Sequence, residues 1–356
     1  MDSVTHLVAG ALTPLAFRNA PKTRIMILFG IICGEFPDID VLAGTSPENI
    51  LSFHRGPTHA LVAQPLFALV LALIFHRMIK KGDAAGTWTF ARTWSVALLA
   101  LLIHLFLDCM TTFGTQIFLP FSAFRVALPA MFIVDLSMTL PLIAVLALIL
   151  ARGGLNPNSP APEPARLGLA RGALTWLIVY PLLALCLNYG MASRLTKTYA
   201  RPGNPQGITK VELTPEPFAP LNWKMVGIAP DAFYMGRFFL FDPGRETPLT
   251  PHARPGELFA TARESIPLFR LFAAFTTYTF ETVTADGEYT LHTFADVRYE
   301  STMPALMQAL KRNDKIFFMQ VRTRNNAIVS YRFLHRGNDA ATTPWETVPQ
   351  EKNHAG

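Results

Sequence analysis

Long apolar stretches separated by short polar connections occupy the first 190 residues. Four of these stretches approach the roughly 20 residues that a helix needs to cross a bilayer: residues 60–75, 95–110, 129–151 and about 173–190. Two shorter apolar runs, 6–17 and 25–33, precede them. Thr5 and Thr58 each precede a histidine and are predicted to cap the helices that follow. The pattern predicts an α-helical membrane bundle of about five to six apolar helices.

Beyond residue 190 the pattern changes, because several prolines are followed by short strand-like runs. The predicted strands are residues 223–226, 234–241, 268–278, 289–299, 315–322 and 328–334. Asp286-Gly287 predicts a hairpin turn, and residues 303–312 predict one helix. We therefore expect a membrane-embedded helical domain over residues 1–193 and a smaller, β-rich α+β domain outside the membrane over residues 194–356.

The composition also indicates a membrane protein. Apolar residues make up 51% of the chain and charged residues 16%, and the mean hydropathy is +0.29. The net charge of +6 comes from scattered basic residues, so we expect a lipid bilayer and no nucleic acid as partner. Cys33, Cys109 and Cys186 lie far apart in apolar runs, which predicts buried thiols and neither a disulfide framework nor a cysteine zinc site. The first residues lack the basic start of a signal peptide, so we expect the N-terminus to be retained.

Lysine and arginine alternate between the loops in a way that predicts the orientation of the chain. The basic residues are concentrated in every second loop: Arg18, Lys22 and Arg24, then Arg77, Lys80, Lys81 and Arg92, then Arg152, Arg166 and Arg171. These loops are expected to be cytoplasmic. The chain then crosses the bacterial inner membrane several times, and the domain after residue 193 lies on the periplasmic side.

Ionisable residues near the apolar runs indicate a metal site, because such charges are costly unless they are paired or bound to a cation. Eight candidate ligands are predicted to reach the periplasmic face: His6, Asp38, Asp40, His54, His59, His104, Asp108 and Asp135. His104 and Asp108 share one helix face, where they either hold a cation together or the aspartate only orients the histidine. Imidazole and carboxylate ligands without thiolate favour zinc, with manganese as the second choice, in one or two ions.

Two residues of this region are predicted to take part in catalysis. Asp40 is the expected proton acceptor, since it lies at the tip of the loop and can face a metal-activated water. Arg55 either binds a substrate phosphate or forms a salt bridge with Asp38, Asp40 or Glu35. Glu35 itself ranks below the aspartates as a ligand, because it lies at a predicted helix end.

Several of these motifs together resemble a known family. The motifs are Thr5-His6, Gly34, Pro37-Asp38-Ile39-Asp40, His54-Arg55-Gly56-Pro57-Thr58-His59, His104-(three)-Asp108 and Gly114-Thr115. They resemble the YdjM/YfhO-like family of inner-membrane metal-dependent hydrolases over about the first 140 residues, and more loosely beyond. The interval from Asp40 to His54 and the HxxxD pair are also distantly similar to the zinc-dependent phospholipase C and nuclease group.

The sequence therefore favours a membrane-bound metal-dependent hydrolase. We expect it to act on an ester or phosphoester of a lipid or lipid-linked substrate, because the site is predicted at headgroup depth, with a metal-activated water as the nucleophile. The alternative is a metal-binding membrane transporter, in which the same residues form an ion path, or a non-catalytic membrane protein in which a metal only fixes the loop.

Overall fold

The structure is a computed structural model, and it describes residues 1–21, 23–44, 46–154, 163–242, 248–303, 317–335, 340 and 342–348. The chain divides into two compact units. The first comprises Met1–Gly44, Phe53–Asn188 and Pro215–Leu221, and the second comprises Thr45–Ser52, Tyr189–Thr214 and Asn222–Gly356. The division at Asn188 and Tyr189 falls close to the boundary of 193/194 predicted from the composition, which stays a prediction.

Helices form the N-terminal region. They are α1 (Ser3–Leu15), α2 (Thr23–Glu35), α3 (Gln64–Lys80), α4 (Phe90–Cys109), α5 (Leu136–Ile149) and α6 (Glu163–Tyr199). Shorter 3₁₀ segments, Phe36–Ala43, Pro57–His59 and Leu61–Ala63, and two π-helical segments, Asn49–Phe53 and Leu150–Gly154, connect them. The predicted apolar helical region is therefore confirmed.

Three helical segments in the described part of the chain are long and apolar enough to cross a membrane: Leu61–Lys80, Phe90–Cys109 and Glu163–Tyr199. Ser3–Leu15 and Leu136–Arg152 are apolar but shorter. A helix of 13 residues such as α1 is about 20 Å long, which is less than the roughly 30 Å of a hydrocarbon core. The predicted count of about five to six apolar helices in a membrane bundle is thus not confirmed, although α1 and α5 pack with the longer helices around one apolar core.

Glycines allow α1 and α2 to pack backbone against backbone. A Cβ atom placed on Gly30 would collide with the carbonyl oxygen of Gly10, and one placed on Gly34 would lie 2.6 Å from the carbonyl oxygen of His6. No side chain other than hydrogen fits between the two helices at these positions. This close approach places His6 of α1 beside the C-terminal end of α2, where the candidate site begins.

Gly30→Ala is expected to lower the free energy of unfolding by about 1–3 kcal/mol, because the new methyl group must push the backbone of α1 away. Thermal unfolding of the detergent-purified protein measures the effect. Gly172→Ala is the matched control, since a Cβ at that helical glycine meets nothing within 4 Å and the substitution favours the helix. Equal unfolding temperatures for Gly30→Ala and wild type would contradict the packing argument.

The second unit is rich in β-structure, as predicted. One sheet has the order β1 (Lys210–Pro215), β2 (Asn222–Ile228), β3 (Ala232–Phe239), β4 (Thr250–Ala253). The other has the order β5 (Thr279–Asp286), β6 (Tyr289–Asp296), β7 (Phe317–Arg324), β8 (Ala327–His335), β9 (Glu346–Thr347). The helices α7 (Glu257–Ser265) and α8 (Pro267–Phe275) lie between the two sets of strands in sequence. Gly287, with φ of 64°, turns the chain between β5 and β6, which confirms the predicted hairpin.

Several local predictions are wrong, namely one strand, two helix caps and the burial of one cysteine. The predicted strand 268–278 is mostly the helix α8, whose buried residues Leu268, Phe269, Phe272 and Phe275 follow a helical repeat. Asp2 caps α1 through the backbone N–H of Thr5, so Thr5 is not the cap. Thr58 lies in a 3₁₀ turn and does not cap α3. Cys186 is exposed rather than buried. The predicted helix 303–312 lies outside the described residues except at its first position.

Candidate metal centre

Two 3₁₀ segments carry candidate ligands from the loop between α2 and α3. Phe36–Ala43 begins directly after α2, has a proline in its first turn, and carries Asp38 and Asp40. The turn Pro57–His59 ends on His59. Proline fixes the backbone at the start of both segments, so the positions of these side chains are set locally.

The helix α4 supplies two further candidates. His104 and Asp108 are one turn apart and both side chains are buried. Donor atoms from four residues meet at the end of this helix, where all of them lie within 4.8 Å of one another: Asp38, His59, His104 and Asp108. This group can hold a metal ion.

The distances inside the group are those of atoms that surround a common point. His59 Nε2 lies 3.2 Å from His104 Nε2, 3.3 Å from Asp38 Oδ1 and 3.3 Å from Asp108 Oδ2. His104 Nε2 lies 3.6 Å from each of the same two carboxylate oxygens. Ligands that each lie about 2.0–2.2 Å from one zinc ion are separated from one another by distances of this size.

The hydrogen bonds on the far side of each imidazole fix which nitrogen carries the proton. His104 Nδ1 lies 2.6 Å from the carbonyl oxygen of Gly34, which only accepts, so this nitrogen is the donor. Thr58 uses its hydroxyl proton on Asp40 and is 3.0 Å from His59 Nδ1, which therefore donates to the hydroxyl oxygen. In the neutral rings, both Nε2 atoms then present lone pairs to each other and to the carboxylates. One shared cation can satisfy four acceptors that face one another in a buried place.

The two carboxylate oxygens of Asp108 differ in their hydrogen-bond partners, and the difference also indicates a cation site. Oδ1 accepts hydrogen bonds or ion pairs from the amino group of Met1, from His6 Nε2 at 3.1 Å and from Arg55 Nη2 at 2.9 Å. Oδ2 is buried and has no hydrogen-bond partner among the described residues. The oxygen that faces the two Nε2 atoms is thus the one left without a donor, and the residues fit a bound divalent cation.

Arg55 is held in a constrained conformation next to this group. Its φ of 56° lies in the left-handed region, which is strained for a residue with a side chain. Its backbone N–H donates to Asp40 Oδ2 at 2.9 Å, and its carbonyl accepts from Gln116 N at 2.9 Å. The guanidinium pairs with Asp108 and donates to Thr111 Oγ1 at 2.9 Å. The ionic partner is therefore Asp108, and not the Asp38, Asp40 or Glu35 considered from the sequence.

Asp40 is not one of the four candidate ligands, but it contacts residues that support them. Its oxygens accept from the backbone of Arg55 and the hydroxyl of Thr58, and Oδ1 lies 3.1 Å from His54 Nδ1. Its side chain has no exposed surface, and Oδ2 is 3.6 Å from His59 Nδ1. Asp40 thus orients His59 through the hydroxyl of Thr58 and fixes the backbone of Arg55, as carboxylates do behind histidines that bind metals.

Three carboxylates near the ends of the 3₁₀ loop have shifted pKa values. Burial alone would raise the pKa of Asp38, but the imidazoles of His104 and His59, when they are protonated on Nε2, donate to this carboxylate and lower its pKa well below its usual range. Burial likewise opposes the effect of His54 and His59 on Asp40, whose pKa is lowered on balance. Burial, and after it the charge of Asp38, raise the pKa of Glu35 to about 7.

An open cleft with a volume of about 560 Å³ adjoins the centre. Its lining includes Glu35, Asp38, His54 and Arg55 together with apolar side chains from α1, α2 and the segment Phe36–Ala43. Oε1 of Glu35 is buried and has no hydrogen-bond partner among the described residues. The polar lining of the cleft therefore includes one candidate ligand carboxylate, one imidazole, one guanidinium and the carboxylate of Glu35.

The eight ligands predicted from the sequence fall into three sets. Asp38, His59, His104 and Asp108 meet. The second set, His6, Asp40 and His54, contacts the first set or its supports: His6 binds Asp108 and stacks on His104 with ring centroids 3.8 Å apart. Asp135 stands apart, because its oxygens accept from Tyr180 at 2.9 and 3.0 Å and cap α5 through Met138 N at 3.1 Å. Its role in the structure is to begin that helix.

Other contributors to the centre were not identified from the sequence. Thr111 binds the guanidinium of Arg55, Thr58 links His59 to Asp40, and the carbonyl of Gly34 orients His104. Threonine is common at helix ends and a backbone carbonyl has no sequence signature, so no pattern could have indicated them. Glu35 did have a signal, since it is an acidic residue at the end of an apolar run.

Comparison with known proteins agrees with the resemblance seen in the motifs. Residues 1–195 match the family described as YdjM inner membrane protein. An uncharacterized protein of Bacillus subtilis (strain 168), YfhP, is 27% identical over 136 residues, which cover 36% of this chain and 40% of that relative. No solved structure matches the chain. Because the family match covers more than half of the residues, this chain belongs to the YdjM inner membrane protein family.

Proposed function

We propose that this protein is a membrane-bound, metal-dependent hydrolase acting on an ester or phosphoester of a lipid or lipid-linked substrate. The observation that carries the proposal is the group of Asp38, His59, His104 and Asp108, whose donor atoms face one another beside an open cleft. When both rings are neutral with the proton on Nδ1, two acceptor nitrogens lie 3.2 Å apart, and a shared cation would satisfy both.

The donor set favours one zinc ion, with manganese as the second choice. Two imidazoles and two carboxylates would hold one ion, so a single ion accounts for all four residues. His6, Asp40 and His54 then support the centre from outside, which replaces the expectation of up to two ions with eight ligands.

The residues around the cleft divide the chemistry between them. A divalent cation held by these four residues would lower the pKa of a water molecule and polarise an ester oxygen. Arg55, anchored by Asp108 and Thr111, presents its Nε–H, which is buried and unpartnered among the described residues, to a substrate anion. Glu35 would accept a proton from the attacking water and return it to the departing ester oxygen, because its Oε1 has no other partner among those residues and it lines the same cleft as Asp38. Asp40, whose oxygens are occupied, positions His59 instead of acting as the base.

A non-catalytic, metal-binding membrane protein is the second candidate. Four protein ligands without an open position are typical of structural zinc sites. The exposure of Asp38 favours a catalytic metal site over a structural one. Its side chain is 17% exposed and lines the cleft, while the side chains of His59 and Asp108 have no exposed surface. A ligand that borders the cleft can share its position with a substrate oxygen.

The test is metal analysis and a substrate panel on the detergent-purified protein. We expect about one equivalent of zinc or manganese per chain and hydrolysis of at least one class among lipid phosphomonoesters, phosphodiesters and carboxylic esters. Treatment with a chelator should abolish the hydrolysis, and returning the metal should restore it. A stoichiometric metal without hydrolysis of any member would instead support the non-catalytic protein.

We also propose that the metal centre and the C-terminal domain face the periplasm. The alternation of basic loops supports this orientation, and α3 ends in Arg77 and Lys80, as expected for a cytoplasmic helix end. A C-terminal alkaline phosphatase fusion should be active, and a C-terminal green fluorescent protein fusion should be dark. A fluorescent green fluorescent protein fusion together with an inactive alkaline phosphatase fusion would place the C-terminus in the cytoplasm.

A further inference from the structure

The cleft beside the metal centre is amphipathic. Two of its polar members are connected to the centre: Asp38 is one of the four candidate ligands, and Arg55 pairs with Asp108. Most of the remaining lining is apolar. A site for a small polar substrate alone would not need such walls.

The helices α1 and α2 supply part of the apolar lining of the cleft. Ile31 and Ile32 line the cleft from α2 and lie about one helical turn before Glu35. Leu7 lines it from α1, directly after His6. The close packing of the glycines of α1 and α2 holds these two walls together.

The segment that carries Asp38 supplies the outer wall. Ile39, Val41 and Leu42 line the cleft and remain 44%, 57% and 80% exposed. Three exposed apolar side chains within one short 3₁₀ segment are costly in water, where each would gain by contact with hydrocarbon. The candidate ligand therefore sits next to a surface that favours a hydrocarbon chain.

We propose that this cleft binds a single hydrocarbon chain that ends in an anionic phosphoester, so that the substrate is a single-chain amphiphile. The proposal rests on the hydrolase function above and specifies its substrate. The anionic head lies between Arg55 and the metal centre, and the chain follows Ile32, Ile39 and Leu42. The volume of about 560 Å³ lies within the range of about 300–1,000 Å³ that holds one modest ligand, which fits a headgroup with one chain.

The chemistry is shared by two kinds of amphiphile, namely lysophospholipids with one acyl chain and isoprenyl phosphates. The experiment uses the full-length protein in lipid nanodiscs, which avoids competition from detergent. It compares both kinds with a two-chain phospholipid and with a short-chain, water-soluble phosphoester of the same head. Initial rates give kcat/KM, and a non-hydrolysable alkyl phosphonate gives the affinity without turnover.

The test variant is Ile39→Asn with Leu42→Asn, which removes apolar lining at two exposed positions while leaving every group of the centre in place. The matched control is Phe121→Asn with Phe124→Asn, two exposed apolar residues of the connection between α4 and α5, 84% and 65% exposed, that do not line the cleft. In the test variant, kcat/KM for at least one single-chain amphiphile should fall about tenfold or more. Metal content and hydrolysis of the short-chain phosphoester should stay at the wild-type level, and the control should match wild type throughout.

The outcomes separate this proposal from the function on which it rests. Equal use of long and short chains by wild type, or hydrolysis of two-chain phospholipid as fast as the single-chain compounds, would overturn the single-chain cleft and leave the hydrolase intact. Absence of all hydrolysis, together with tight alkyl phosphonate binding that the test variant loses, would support the cleft and overturn the hydrolase. Absence of alkyl phosphonate binding in wild type would overturn the cleft.

Discussion

Replacing His104 by alanine is expected to remove the metal from the protein. The imidazole supplies one of four donors, and its loss leaves two carboxylates and one imidazole without a complete shell. Even residues that only orient a ligand change metal affinity by about 10–100-fold, so removal of a ligand should exceed that range. Metal content of the purified variant, by mass spectrometry of the digested protein, should fall to a small fraction of one equivalent, and hydrolysis should fall with it.

Asp135→Ala is the control for this experiment. Asp135 was predicted from the sequence as a ligand, but it caps α5 and binds the hydroxyl group of Tyr180. We expect its removal to cost about 0.5–2 kcal/mol of stability, as for a lost helix cap, and to leave the metal in place. Retention of a full equivalent by His104→Ala, or its loss from a folded Asp135→Ala, would contradict the assignment of the centre.

Glu35→Gln is expected to lower kcat by about 10²–10⁴-fold while the metal remains bound. The amide keeps the size of the side chain but cannot accept a proton from water. Glu35 is not one of the four ligands, so metal content separates this effect from loss of the centre. Steady-state kinetics on a substrate identified by the panel measure it.

Asp40→Asn provides the comparison for Glu35→Gln. Asp40 accepts from Arg55 and Thr58 and orients His59, so its substitution should weaken metal binding, and activity should recover when metal is supplied in excess. If Asp40→Asn lost activity with the metal retained while Glu35→Gln was as active as wild type, Asp40 would be the base, as the sequence alone indicates.

The overall organisation of the chain could be predicted because it depends on composition and periodicity. Long apolar runs form helices in the N-terminal region and alternating residues near an Asp-Gly pair form a hairpin, so the helical region and this hairpin were predicted correctly. The segment 268–278 was wrongly predicted as a strand, because its aromatic residues are also common in strands. Only the burial of its apolar residues at helical spacing reveals the helix α8.

The chemistry of the site was also largely present in the sequence. Histidine and aspartate next to apolar runs are costly without a partner, which was enough to select a set containing Asp38, His59, His104 and Asp108. The spacing of four residues is itself sufficient to put His104 and Asp108 on one face of a helix. The family membership agrees with the motifs that carried the prediction.

The sequence by itself determined the residue types, their helix faces and the membrane character of this protein, because these depend on local spacing and hydrophobicity. The tertiary structure alone decided which donors converge. The glycine contact between α1 and α2 brings His6 and the carbonyl of Gly34 to α4, where Gly34 fixes the tautomer of His104. Tertiary packing also removed Asp135 from the set and placed Glu35 in the cleft. Convergence depends on distances between segments far apart in the chain, and these distances follow from packing rather than from local spacing.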